Sequence, residues 1–275
     1  MSYLLYCIFH NSEVQRQATL PGVGGQPVFA VAINGISAAV SEISDAHLTP
    51  DVPRVMAYQK VIESFHSDRT VIPMRYGCVL RDRPQVIQLL KRNAGRYESL
   101  LKELDGCMEM GIRLMIDDCR LSIEGLKKRE MKFETRNSKL KISGKAYLDA
   151  RKAHYAREDR FECRVKAVVD QCRAAFSGLF IKYKAEYPSI IPDESGFPLR
   201  FNNQQSTINN QQLIGLYFLV PGKSIDAFRR VFRHMRRRME TTKLLLSGPW
   251  PPYNFVLPDN EQRRSGPPDE EAKER

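Results

Sequence analysis

The sequence predicts an α+β protein built from two domains. Three observations carry that prediction. At 275 residues the chain is long enough to fill two cores of ordinary size. Runs with the two-residue alternation of half-buried strands are interspersed with runs of helical periodicity, so neither element type dominates. And Asn34-Gly35 sits between two apolar runs, the strongest short-range signal of a hairpin, because both central positions of its tight turn need φ > 0. The domains are expected at 1–118 and 144–257, with a charged connection at 119–143 and a disordered polar tail at 258–275.

Taken in order, residues 4–9 are apolar and aromatic and predict a first strand. Residues 10–26 are polar and carry Gly22, Gly24 and Gly25, a loop. Strands at 27–33 and 36–43 flank the Asn-Gly turn. A helix follows over 53–67, with Val55, Tyr58, Ile62 and Phe65 on one face. Residues 70–74 form a short strand, and Gly77 permits a turn after it. Pro84 suits the first turn of a helix whose apolar stripe runs from Val86 to Leu104, with Gly106 stopping it. From Met108 to Ile116 apolar residues alternate with Glu109, Gly111, Arg113 and Met115, a strand with one buried face. The order βββαβαβ, with helices on one face of the sheet, is close to ferredoxin-like.

In the second half, residues 144–180 predict one long helix. Phe161, Val165, Val168, Cys172, Ala175 and Leu179 repeat at alternating spacings of four and three, a heptad seam. Residues 189–212, rich in Pro, Asn and Gln, predict a loop. An apolar strand at 213–220 is followed by a helix at 225–240 that turns Phe228, Val231, Phe232, Met235 and Met239 inward, and by a short strand at 244–246.

Composition narrows the function classes. Hydrophobic content is 42% and mean hydropathy is −0.42, the profile of a soluble globular protein. No apolar run reaches the ~20 residues of a membrane span, and no cleavable signal is expected. The six cysteines, at 7, 78, 107, 119, 163 and 172, include no Cys-x-x-Cys pair, and the five histidines supply no metal-ligand spacing. Reduced thiols, no metal and no cofactor are expected. The net charge of +11 is lopsided: residues 1–118 hold 12 basic and 13 acidic side chains, residues 119–275 hold 31 and 19. The second half therefore invites anionic partners.

No site constellation points to catalysis. Val220-Pro221-Gly222-Lys223-Ser224 suggests a phosphate loop, but Tyr217 stands where that motif needs its first glycine. It reads as a strand-to-helix turn with Ser224 as the cap. Asp117-Asp118, with His66 elsewhere in the chain, is the best acid–base candidate, and adjacent acids at a strand end are ordinarily a solvated turn. Arg229, Arg230, Arg233, Arg236, Arg237 and Arg238 crowd one helix, the alternative reading being a basic nucleic-acid-associated protein. Without aromatic interleaving or a known reader fold, no specific nucleic-acid binding is expected.

Two stretches remain. Pro73 breaks the strand at 70–74, which places that strand at a sheet edge, a ready template for a partner. Gly248-Pro249-Trp250-Pro251-Pro252-Tyr253-Asn254-Phe255 holds the only tryptophan and three prolines that fix φ and exclude a helix. This stiff ribbon is expected to pack on the C-terminal domain with Trp250 largely buried. The candidate partner-docking residues are Thr70, Val71, Ile72, Arg75 and Tyr76 on the edge, and Trp250, Tyr253 and Phe255 on the ribbon.

The ribbon motif Gly-Pro-Trp-Pro-Pro-Tyr-x-Phe resembles the closing motif of the gas vesicle protein L/F family (GvpL/GvpF). Residues 3–9, Thr70-Val71-Ile72-Pro73-Met74-Arg75-Tyr76-Gly77 and Gly144-Lys145-Ala146-Tyr147-Leu148 resemble that family in the same order. The resemblance implies a ferredoxin-like domain followed by an α+β domain with long packed helices. It implies an accessory or minor structural protein of the gas vesicle, in the cytoplasm, not an enzyme. Its partners would be the hydrophobic shell protein GvpA, during nucleation and growth of the wall, and other gas vesicle accessory proteins. The family supplies no catalytic residues, so the docking residues above rest on local physics alone.

Overall fold

The computed structural model describes residues 2–10, 20–44, 49–117, 144–187, 207–208, 211–239 and 242–256. The expected connection at 119–143, the tail at 258–275 and most of the loop at 189–212 lie outside the described residues. The architecture is α+β, with two mixed helix-and-sheet units. One unit takes Met1–Glu109, Leu219–Gly222 and the chain from Gly248 on; the other takes Met110–Phe218 and Lys223–Ser247. Each therefore draws on both halves of the chain, unlike the consecutive domains expected from the sequence.

The first unit is organised on β1 (Ser2–His10), an inner strand of a sheet that ends on β4 (Val71–Pro73) and is ordered β2-β3-β1-β4. Strands β2 (Val28–Ile33) and β3 (Ile36–Ile43) form the expected hairpin. Asn34 and Gly35 take φ of 48° and 80°, as a primed turn demands. The register of β1 on β3 shifts between Leu5 and Cys7, and this bulge decides what each face receives. Leu5 and Ile8 face one core, while Leu4, Tyr6, Cys7 and Phe9 face another. Cys7 is fully buried and its thiol is pushed far above the ordinary range by desolvation.

Helix α1 (Val52–Asp68) covers the Tyr6 face with Tyr58, Val61, Ile62 and Phe65. Asp51 caps it by accepting the Arg54 amide at 2.7 Å. Val55, expected inward, is 37% exposed; Val61 fills that face instead. On the opposite face lie α2 (Arg83–Arg92) and α3 (Ala94–Glu103), through Val86, Leu90, Tyr97 and Leu101. The single helix expected here is broken at Asn93, whose φ and ψ of −110° and 12° leave the helical region. Its side-chain amide donates to the Leu89 carbonyl at 3.0 Å, competing with the helix ladder.

Helices on both faces depart from the ferredoxin-like expectation. So does β6 (Cys107–Asp117), the strand expected to close the N-terminal sheet. Its neighbours are β9 (Gln211–Pro221) and β10 (Thr242–Trp250), in a second sheet that ends on β7 (Lys182–Glu186) and is ordered β10-β6-β9-β7. The physical reason is its burial: Met110, Ile112, Leu114 and Ile116 are all at most 1% exposed. A strand this apolar belongs inside a sheet, with a neighbour on either side.

In the second unit, α4 (Gly144–Ala175) buries Val165, Val169 and Cys172, with Phe176 just past its end. That four–three–four spacing differs from the expected seam: Val168 is half-buried and Ala175 exposed. Burial pushes the Cys172 thiol up to about 12. Phe176 stacks on Phe228 of α5 (Ile225–Arg238) at 4.1 Å and packs against Phe218 of β9 at 5.3 Å. Strand β7 (Lys182–Glu186), which the sequence reading missed, is tied in by the Tyr217 hydroxyl donating to Glu186 at 2.7 Å. A two-residue strand, β8 (Thr207–Ile208), pairs with β9 inside the expected loop. Ser224 occupies the N-cap of α5, but its side chain makes no capping bond, so the capping role expected of it is not filled.

Candidate functional site

Strand β4 (Val71–Pro73) is the end strand of the first sheet, as Pro73 requires, pairing Val71, Ile72 and Pro73 with Phe9, Ile8 and Cys7. The chain then leaves the sheet for one turn and returns as β5 (Val79–Leu80), again against β1. Gly77, at φ 86°, makes the turn. Beneath it the Tyr58 hydroxyl faces four carbonyls, those of Leu5 at 2.8 Å, Arg75 at 3.0 Å, Met74 at 3.1 Å and Tyr6 at 3.5 Å. Tyr6 stacks on Tyr58 at 4.9 Å, and Tyr76 meets it edge-on at 5.3 Å. The main chain at Arg75 is thereby pinned while its guanidinium stays exposed.

The proline ribbon lies in the same unit, not on the C-terminal domain where it was expected. Its first part, through Trp250, completes β10, with a cis peptide bond at Gly248-Pro249. Pro251 and Pro252 are buried, and residues Tyr253–Phe255 form a 3-10 turn. Phe255 and Val256 pack on the core beneath α2 and α3, and Tyr253 on the core beneath α1. Asn254 donates its backbone amide to Glu109 Oε2 at 2.8 Å and its side-chain amide to Oε1 at 2.6 Å. Glu109 is only 3% exposed, and these donors give each of its buried carboxyl oxygens a hydrogen bond. Trp250 is 36% exposed, contrary to the expected burial. Pro251, Pro252, Tyr253 and Phe255 cover the interior in its stead.

Between β4, α3 and the ribbon the first unit has a cleft of about 470 Å³. Ile72, Met74 and Arg75 line it from the strand and its turn, Tyr97 and Leu100 from α3, and Tyr253 and Val256 from the ribbon. Among the described residues Arg75 and Arg96 are its charged lining, and no carboxylate lines it. Burial raises the Cys78 thiol and the Tyr97 and Tyr253 hydroxyls above their ordinary values, so all three stay neutral near pH 7. The cleft thus offers an apolar surface with positive charge, suited to an apolar segment that carries a carboxylate.

Of the docking residues expected from the sequence, the cleft brings together Ile72, Arg75 and Tyr253. Thr70 instead donates to Asp105 at 2.8 Å, and Val71 is buried in the core under α1. Tyr76 packs on Tyr58, Phe255 packs into a core, and Trp250 does not line the cleft. The sequence reading missed Met74, Tyr97, Leu100, Asn254 and Glu109. Tyr97 was visible only as helix stripe, Leu100 lay outside that stripe, and Glu109 was visible only as the polar half of an alternation.

The other candidates fare differently. Asp118 lies outside the described residues. His66 sits in the last turn of α1, where burial lowers its pKa against the smaller opposing effect of the Arg69 backbone. Among the described residues no cluster of His, Cys, Asp and Glu is arranged to hold a metal ion. No helix among them is long and apolar enough to cross a membrane.

Comparison with known proteins places this geometry. The family model described as gas vesicle synthesis protein GvpL/GvpF matches residues 2–257. The chain is 26% identical over 260 residues to gas vesicle protein F of Streptomyces sp. (strain CB03234), covering 93% of this chain and 100% of that one. It is 25% identical over 272 residues to gas vesicle protein L1 of Halobacterium salinarum, covering 92% and 89%. In fold it is similar to the crystal structure of GvpF from Anabaena sp. PCC7120, with a TM-score of 0.70 at 18% identity over 94% of this chain and 96% of that one. GvpF from Microcystis aeruginosa gives 0.69 at 16% identity over 94% and 99%.

Proposed function

The chain belongs to the GvpL/GvpF gas vesicle synthesis family, and from that premise we propose that it is an accessory or minor structural protein that binds the shell protein GvpA during vesicle nucleation and growth. The observation that carries the partner is the cleft beside β4. A shell subunit must keep a dry, gas-facing surface, and such a surface aggregates unless something covers it before assembly. The cleft supplies that cover: Ile72, Met74 and Leu100 take an apolar segment, while Arg75 meets a carboxylate at its edge. We read the chain as working by binding, since the cleft presents apolar side chains with Arg75 and Arg96 beside them. It acts on the gas vesicle within the cytoplasm, together with other vesicle accessory proteins.

The test is genetic and biochemical together. Deleting the gene is expected to abolish or malform vesicles, and the tagged protein is expected to retain GvpA from the same cells. Normal vesicle yield and shape in a clean deletion would overturn the role. Normal retention with a filled cleft, after Leu100→Trp, would move the binding site elsewhere.

A further inference from the structure

Helix α5 carries a charged surface that the binding of a hydrophobic shell segment leaves unused. Its inward face consists of Phe228, Phe232 and Met235. Its outward face presents Arg229, Arg230, Arg233, Arg236, Arg237 and Arg238, all exposed. Among the described residues the ion pair on this helix joins Arg229 to Asp226 at 3.8 Å, with both side chains well exposed, and such a pair neutralises little. Arginines at 229, 233 and 237, and at 233 and 236, stand one turn apart, where like charges repel. An unneutralised face of this kind is relieved when a partner brings carboxylates to it.

The face also has an apolar floor. A groove of about 500 Å³ runs between Arg229, Arg230 and Arg233 on one side and Leu246 of β10 on the other, with Phe232 at its base. Strand β10 is the end strand of its sheet. We propose that this groove is a docking surface for an acidic amphipathic segment of a partner protein, its apolar side chains resting on Phe232 and Leu246 and its carboxylates paired with Arg230 and Arg233. Arginine suits this role, because its planar fork takes a carboxylate through two hydrogen bonds. A nucleic-acid duplex fits less well: it has no apolar edge for the floor formed by Phe232 and Leu246. A bilayer fits less well too, since α5 offers it no continuous apolar face: Phe228 and Met235 are buried in the core and Phe232 lines only the groove. The surface lies in the second unit and the β4 cleft in the first.

The experiment uses the full chain and fluorescence anisotropy at about 0.15 M salt. Four probes are compared: a glutamate-rich peptide with leucines at i, i+3 and i+4 spacing, the same peptide with glutamine for glutamate, duplex DNA, and vesicles of phosphatidylcholine with phosphatidylglycerol. The acidic peptide is expected to bind most tightly. Arg230→Gln with Arg233→Gln should weaken it by about tenfold or more, as should Leu246→Ser to a smaller degree. Both arginines are exposed, so the melting temperature should not move; if the pair does perturb folding, Arg233→Gln alone serves. Equal binding of the glutamine peptide would overturn the proposal, as would tighter binding of DNA or of anionic vesicles. Binding of the acidic peptide that ignores the arginine substitutions would overturn it as well.

Discussion

Asn254 grips the buried carboxylate of Glu109 with two hydrogen bonds, at 2.8 and 2.6 Å, across 145 positions of sequence. This clamp fastens the end of the ribbon to the start of β6 and so builds one wall of the β4 cleft. Because Glu109 is 3% exposed, a lost donor is not replaced by bulk water. Asn254→Ala is therefore expected to cost about 1–3 kcal/mol. Differential scanning fluorimetry should show a melting temperature lowered by several degrees; an unchanged one would mean the clamp contributes nothing.

The cleft predicts a charge-reversal effect on partner binding. Arg75→Asp leaves the pinned main chain alone, because Arg75 is held through its carbonyl and not its guanidinium. Retention of GvpA by the variant should fall about tenfold or more, with no change in melting temperature. Arg75→Lys should recover much of the loss. Equal retention by all three proteins would exclude the guanidinium from the contact.

The aromatic residues separate by burial. Phe176 is 0% exposed and stacked on Phe228, so Phe176→Ala should cost ~3–5 kcal/mol. Trp250 is 36% exposed, and Trp250→Ala should cost about 1 kcal/mol. Urea denaturation of the two variants measures the difference; a Trp250 effect as large as that of Phe176 would contradict the exposure.

Acidification should destabilise the first unit through His66. Burial lowers its folded-state pKa below the ordinary 6.5, so the folded state disfavours the proton that the unfolded chain accepts. Its contribution is fully present above that value and is lost as pH falls below it. Arg69, whose backbone partly offsets the shift, lies next to Phe9 and Phe65 on the same side. His66→Gln should flatten the melting-temperature profile between pH 7 and about 5; an identical profile in the variant would assign the pH dependence to other groups.

The sequence by itself determined whatever rests on a residue and its near neighbours. The Asn34-Gly35 hairpin follows from which residues tolerate φ > 0, and the edge position of β4 follows from the missing amide of Pro73. The α+β class and the family resemblance were legible for the same reason, since periodicity and ordered motifs are carried along the chain. Local pattern also revealed the buried face of β6, but not which strands would flank it. That choice, the bulge that splits Leu5 from Tyr6 and Cys7 between two cores, and the docking of the ribbon in the first unit were decided by tertiary structure. Each depends on which apolar and hydrogen-bonding surfaces are still open once distant segments have met. Glu109 shows why most plainly: on the strand it is one polar residue in an alternation, and Asn254, arriving from the far end of the chain, supplies donors to both of its buried oxygens.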